Sequence, residues 1–338
     1  MTVPDHVLTL AEVEALSYEV LVAANVTSNI ARIVARSVRR AEADGIRSHG
    51  LARLGTYGQH ARIGKVDGQA AAELTKTGPA SVRVDAKCGF AHPAIEIGLM
   101  ELTKLARESG IAVLAITNSY NCGVLGHHVE DIADAGFVGL GFVNAPPSIA
   151  PWGGHTPIFG TNPIAFAAPV ANRPPLVIDQ SSSVIARGEI MLHAQQDKPI
   201  PKGWAITADG EPTTDPKEAL KGSLLPSGGY KGAGLALIVE VMAAVLTGAN
   251  LSIAASSFAD DAGGPPRTGQ LFVAIDIARL AGRNAFDSQF GCLLSAITDQ
   301  PGARLPGDKR LAARSSTARD GVKVPDKLLA ALIEKSKH

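Results

Sequence analysis

The strongest constraint on what this chain can fold into is the regular exchange of two hydrophobic periods along it. Ser81-Val82-Arg83-Val84-Asp85 alternates as a half-buried strand, and the run 111–116 is a compact β-rich segment preceded by a long Ala/Leu/Ile-rich helical one. A helix near 124–135, strands near 137–144, 163–168 and 175–179, and a helix near 185–196 follow. A strongly apolar helix near 233–247 leads through a Ser, Asp, Gly and Pro-rich excursion at 256–266 to a strand at 271–275. Read locally, the alternation predicts an α/β protein with a parallel sheet. Yet no Gly-x-Gly-x-x-Gly opens a helix after a strand, and no Gly-x-x-x-x-Gly-Lys-Ser/Thr occurs. A dinucleotide would therefore bind here without either standard phosphate cradle.

The N-terminal part is helical. Thr9-Leu10-Ala11-Glu12 fits a capping box for a helix over 10–23, and a second pattern with Ile30, Ile33, Val34 and Val38 on one face ends at Asp44-Gly45. Directly after that break comes Ser48-His49-Gly50, with Arg53 four residues past His49. Helical spacing places His49 and Arg53 on one face, so an imidazole able to trade a proton near neutrality stands beside a guanidinium able to grip a carboxylate. That is chemistry for a small anionic substrate. A Ser-His pair at a helix start also serves commonly as a cap with a surface histidine.

Composition removes other classes. The 338 residues carry 32 basic and 32 acidic side chains without long single-sign blocks, which argues against nucleic-acid and polybasic membrane contacts. No run approaches a membrane span and the N-terminus lacks a leader pattern, so a cytoplasmic protein is expected. Cys88, Cys122 and Cys292 are scattered and expected to be reduced, and His127-His128 has no metal-ligand spacing, so no metal site is expected. Gly/Pro-rich loops at 144–147, 151–154, 159–163 and 226–232 are where a ligand would be gripped.

Taken together, Asp44-Gly45 through Ser48-His49-Gly50 and Arg53, Phe159-Gly160-Thr161-Asn162-Pro163, Asp179 with Ser181-Ser182-Ser183, Gly228-Gly229-Tyr230-Lys231-Gly232 and Leu305-Pro306-Gly307-Asp308 resemble the malate/L-lactate dehydrogenase family of non-Rossmann type. The motifs stand in the family's order along nearly the whole chain. The resemblance implies an α+β fold whose predominantly antiparallel central sheet binds the cofactor, flanked by helical domains. It divides the chain into a helical domain from 1–72 with 285–338, a cofactor-binding sheet domain at 73–225 and a smaller helical region at 226–284. It also implies a homodimer with active sites near the subunit interface.

By the same resemblance His49 is the proton donor and acceptor, Ser48 its relay partner, and Arg53 the ligand of the substrate carboxylate. Thr161 and Asn121 would touch the substrate; Asn121 stands where many members carry a histidine. Ser119, Gly123, Asp179, Ser181, Ser182, Lys231, Gly232, Gly307, Asp308, Lys309 and Arg310 would line the cofactor. Lys231 at a helix N-terminus would meet a phosphate, and the basic pair Lys309-Arg310 would receive a 2′-phosphate, favouring NADP with NAD as the alternative. Glu189 occupies a position where the cyclic imino acid reductases show an acid in a relay with the Ser-His pair. The implied activity is hydride transfer between NAD(P)H and a small 2-oxo acid or its 2-hydroxy counterpart, of malate, lactate or sulfolactate type. The alternatives are reduction of Δ1-piperideine-2-carboxylate or Δ1-pyrroline-2-carboxylate, and a cofactor-binding homologue without catalysis. A Ser-His-acid hydrolase is disfavoured, since adjacent Ser and His do not reach nucleophile geometry and no Gly-x-Ser-x-Gly elbow exists.

Overall fold

The computed structural model describes residues 5–337. The chain opens with β1 (Asp5–Leu8), α1 (Leu10–Ala23), α2 (Ser28–Ala43) and α3 (Leu51–Arg62). It continues through β2 (Glu73–Gly78), β3 (Ser81–Asp85), α4 (Ala91–Ser109), β4 (Ile111–Ser119), α5 (Leu125–Asp134), β5 (Phe137–Val143), β6 (Ile164–Val170) and β7 (Arg173–Gln180). Next come α6 (Arg187–Gln195), β8 (Ala205–Ile206), β9 (Pro212–Thr213), α7 (Pro216–Lys221), β10 (Ser223–Leu224) and α8 (Tyr230–Glu240). The last elements are β11 (Thr268–Asp276), α9 (Arg283–Thr298), α10 (Asp308–Asp320), β12 (Val322–Pro325) and α11 (Asp326–Lys335).

The capping box forms as the sequence predicts: the Thr9 hydroxyl accepts from the Glu12 amide, and the Glu12 carboxylate receives the Thr9 amide. The strands and helices expected between 81 and 196 are present, with ends shifted by up to three residues.

Their pairing corrects the parallel-sheet expectation. Seven strands form one sheet in the order β2-β3-β4-β11-β5-β6-β7, and only β3 with β4 is parallel, joined across α4. All other neighbours are antiparallel: β2-β3, β5-β6 and β6-β7 pair as successive strands, and β11 returns from residue 268 to insert between β4 and β5. Periodicity marks each segment as a strand but is silent on its neighbour and direction. The result is a mixed α/β fold with a mostly antiparallel sheet.

Helices α4 and α5 cover one sheet face, where Ile95, Leu102, Leu105, Val129 and Ile132 pack on Leu114, Ile116 and Phe272. Gly139 lets α5 approach closely, since a Cβ there would meet Ile132 at 3.0 Å. On the other face Val239 and Ala243 meet Phe142, Leu271 and Val273. The chain ends join: β1 pairs with β12, and α1, α2 and α3 share a core with Val322, Val324, Leu329 and Leu332. The segment 226–284 supplies the central strand β11 as well as α8, and α9 packs on the sheet edge through Leu294 against Leu176 and Leu305. Residues 187–224 form a small lobe around Ile190, Ile200, Ala205, Ala219 and Leu224.

Candidate active site

Between α2 and α3 the chain makes a single 3-10 turn, Arg47–His49, and the Ser48 hydroxyl lies 3.0 Å from His49 Nδ1. The start of α3 is fixed from below. Buried Glu42 of α2 accepts the Leu51 amide at 2.7 Å, satisfying one of the free N–H groups at the helix start. Gly50 is required beside it, because a Cβ would strike the Glu42 carboxylate. Arg53 follows within the first turn of α3, with one long contact, Nη1 to the Phe258 carbonyl at 3.5 Å. Among the described residues no carboxylate lies within 4.0 Å of its guanidinium. One turn on, the Tyr57 hydroxyl donates to Asn121 Oδ1 at 2.8 Å, and the Gly123 amide donates to the same oxygen at 2.8 Å. These two donors fix the amide orientation of Asn121 and leave its nitrogen for a ligand.

The imidazole of His49 is half-buried; that burial, with the Arg53 guanidinium and His127 nearby, lowers its pKa to about 4. His49 is therefore a neutral base in the unliganded chain. Behind it lies a charged knot. His127 Nε2 stands 3.0 Å from Asp44 Oδ2, and Arg314 of α10 grips Asp44 at 2.7 and 2.9 Å and Glu130 at 3.1 and 3.0 Å. Burial opposes the Asp44 charge, yet the hydrogen bonds from His127 and Arg314 outweigh it and hold its pKa at about 2. Asp44 thus ties the segment carrying His49 to α5 and α10 at once.

A second feature is a cleft of about 450 Å³ lined by Ser181, Ser183, Ser227, Lys231, Gly232 and Leu235, among others. It opens at the N-terminus of α8, where Gly228 and Gly229 turn with φ of +68° and +67°. A Cβ on Gly232 would run into the Ser227 carbonyl, so only glycine allows the turn to fold this closely onto the helix. Free amides, the helix dipole and an exposed lysine make this a fitting cradle for a dinucleotide phosphate. Thr161 and Ser182 brace its rear: the Ser182 amide donates to the Thr161 carbonyl, and its hydroxyl to the Asn162 carbonyl at 2.8 Å. Buried Asn162 in turn donates to Ala236 O at 3.0 Å and Glu240 Oε2 at 2.8 Å, clamping this loop to α8.

A family model described as malate/L-lactate dehydrogenase matches residues 8–333. The chain belongs to the malate/L-lactate dehydrogenase family. It is 44% identical over 309 residues to the (2R)-3-sulfolactate dehydrogenase (NADP(+)) of Chromohalobacter salexigens, covering 91% of this chain and 92% of that protein. It is 43% identical over 330 residues to the Delta(1)-pyrroline-2-carboxylate reductase of Ancylobacter novellus, covering 96% of each. The crystal structure of delta1-piperideine-2-carboxylate reductase from Pseudomonas syringae pv. tomato superposes with a TM-score of 0.92 at 35% identity, covering 98% of this chain and 99% of that one.

In this member of the malate/L-lactate dehydrogenase family the remaining expected site residues divide. Gly307, with φ +89°, sits against the Val177 carbonyl, and Asp308 receives the Leu305 amide at 2.8 Å and pairs with Arg173 at 3.2 Å. Lys309 is exposed. Arg310, expected to receive a 2′-phosphate, turns inward to Glu130 at 3.3 Å and Asp44 at 3.4 Å, leaving its side chain 11% exposed. Asp179 accepts the Gly126 amide at 2.7 Å in the first turn of α5. Buried Ser119 is spent within the sheet, donating to the Thr268 carbonyl at 2.9 Å and accepting from Gln270 at 2.7 Å. Glu189 lies in α6 with His193 Nε2 3.9 Å away, and among the described residues no hydrogen bond joins it to His49. Glu42, Asp44, Tyr57 and His127 are site residues the sequence left without a role. Only Asp44 and His127 carried a signal: one opens the Ser48-His49 motif, and the other was weighed solely as a metal ligand.

Proposed function

We propose that this chain is an NADP(H)-dependent oxidoreductase that interconverts a small 2-oxo acid and its 2-hydroxy acid. The observation that carries the reading is Arg53, a half-buried guanidinium without a carboxylate partner among the described residues, on the helix that follows the Ser48-His49 pair and one turn before Tyr57, which holds Asn121. A guanidinium in that state recruits an anion through a two-pronged hydrogen bond. Lys231, Ser181 and Gly232 at the start of α8 would hold the cofactor's phosphate, with Thr161 and Ser182 supporting them. A reduced nicotinamide held there would supply the hydride for carbon 2 of the substrate.

The protein's own part is position and a proton. Arg53 binds the carboxylate, and the Asn121 amide nitrogen donates to the substrate beside it. Burial is the main cause of the lowered His49 pKa, and once the carboxylate neutralises Arg53 the smaller part due to that charge is relieved, so the imidazole more readily carries the proton that Nε2 delivers to the nascent oxyanion. Ser48 holds Nδ1, and Asp44 and Glu42 hold the segment on either side. In the oxidative direction the neutral imidazole takes the proton back.

Reduction of a cyclic 2-imino acid is the second reading, supported by the names of the Ancylobacter and Pseudomonas relatives. Glu189 joins His49 in that reading only if a partner subunit brings it there. A cytoplasmic homodimer is part of the proposal. It is supported by the exposed apolar stripe of Leu237, Ile238, Val241, Val245 and Leu246 along α8 and the wider turn after it.

Reduced nicotinamide consumption is the test, with NADPH and NADH each offered pyruvate, oxaloacetate, sulfopyruvate and Δ1-piperideine-2-carboxylate. Faster turnover of an open-chain oxo acid upholds the main reading, and faster turnover of the imine selects the second. No turnover of any substrate overturns both in favour of a non-catalytic homologue.

A further inference from the structure

The excursion 256–264 between α8 and β11 is strapped down by three side chains from the end of α3 and the turn after it. Lys65, with a fully buried side chain, donates to the carbonyls of Asp260 at 2.7 Å and Ala262 at 2.5 Å, and the Asp260 carboxylate stands 3.8 Å away. His60 Nε2 lies 3.0 Å from the Asp260 carbonyl, which can only accept. Nε2 therefore carries the proton, and Nδ1 accepts the Tyr120 hydroxyl at 2.6 Å. Gln59 adds a bond to Asp261 at 3.0 Å. Taking an ammonium out of water for a surface loop is costly, so the position of that loop matters more than its length.

What the strap places is Phe258. Among the described residues its carbonyl makes the one hydrogen bond to the Arg53 guanidinium, and its ring packs edge-to-face with that of Tyr120, centres 5.3 Å apart, directly before Asn121. The ring is half-exposed, on the residue whose carbonyl contacts the group that would hold a carboxylate. An aromatic surface there favours an apolar body on the bound acid, whereas a second anionic group would shed water without gaining a partner.

We propose that Phe258 is a specificity-determining wall of the substrate pocket that selects 2-oxo or 2-imino acids with an apolar remainder, and that Lys65 and His60 are positioning residues that hold it against Arg53. The proposal rests on Arg53 being the carboxylate site. It is tested by the ratio of kcat/KM for Δ1-piperideine-2-carboxylate to that for oxaloacetate, together with calorimetric binding of proline and malate to the full chain. Phe258→Ala should lower the ratio roughly tenfold, Phe258→Leu should restore most of it, and Phe258→Arg should invert the preference. Lys65→Met should shift the ratio in the Phe258→Ala direction with kcat largely kept. An unchanged ratio in folded Phe258→Ala and Phe258→Arg overturns the proposal. Should the wild type turn over neither substrate, the proposed reaction fails on its own. The wall is then judged by calorimetry alone: preference for proline over malate that disappears in Phe258→Ala upholds it, and equal binding in both proteins overturns it.

Discussion

His49 and Arg53 act on one another before any substrate arrives. With its pKa near 4, His49 is deprotonated at neutral pH, so kcat/KM for reduction should fall as pH rises across the neutral range, while kcat/KM for oxidation should stay level there. A kcat/KM for oxidation that drops as pH falls across the neutral range would contradict a His49 already deprotonated there. His49→Ala should cut turnover by about 10²-fold or more with the fold intact, the scale expected for a lost acid-base group. Arg53→Ala should instead raise KM for the carboxylate substrate far more than it lowers kcat, and an unchanged KM would place the carboxylate elsewhere. The motif Ser48-His49 and the spacing to Arg53 were legible because they are neighbours in the chain. Glu42 and Tyr57 were not, since their roles arise from Leu51 and Asn121, which only the fold brings to them.

Short elements carry the two sites, and glycines set how closely they approach. The start of α8 is the proposed anion cradle, and Gly232 lets Ser227 close onto the helix there. Gly232→Ala should therefore weaken NADPH binding severalfold or more, with little change in the affinity of Arg53 for a carboxylate. Titration of each ligand separately checks this, and equal loss of both would mean general misfolding. At α3 the equivalent change is Gly50→Ala, whose methyl group would push the Glu42 carboxylate off the Leu51 amide. A cost of about 2 kcal/mol is expected from such overpacking, measured by denaturant unfolding. Helix starts and strands were readable from capping residues and periodicity. Arg310 shows the limit of such reading: the sequence offers Lys309-Arg310 to a 2′-phosphate, yet Glu130 and Asp44 draw Arg310 inward.

Across the whole molecule, burial of neutral histidines sets the acid limit. His92 and His128 are pushed down to about 3 and about 4 by burial, with other histidines nearby adding to the effect on His92. Their folded values lie below the unfolded value near 6.5, so the unfolded chain binds more protons between those limits. Stability is then full above about pH 6.5 and declines as pH falls toward 4, by about 2 kcal/mol for each of the two at pH 5. Asp44, held at about 2, adds its loss only at lower pH, as acid passes through the range from 3.8 down to 2. Melting temperatures between pH 7 and 5 measure the sum, and a constant or rising value would contradict it.

Amphipathic periods, the Thr9 cap and the glycine-rich breaks are local, governed by residues within a turn or two of one another. They determined where strands and helices lie and which short segments are the candidates for gripping a carboxylate and a phosphate. Strand partners, the insertion of β11 between β4 and β5, the knot that joins Asp44 to His127 and Arg314, and the strap that sets Phe258 beside Arg53 all depend on contacts across long stretches of chain. Their free energy comes from burial and charge pairing that exist only once the layers have packed, so the tertiary structure alone decided them.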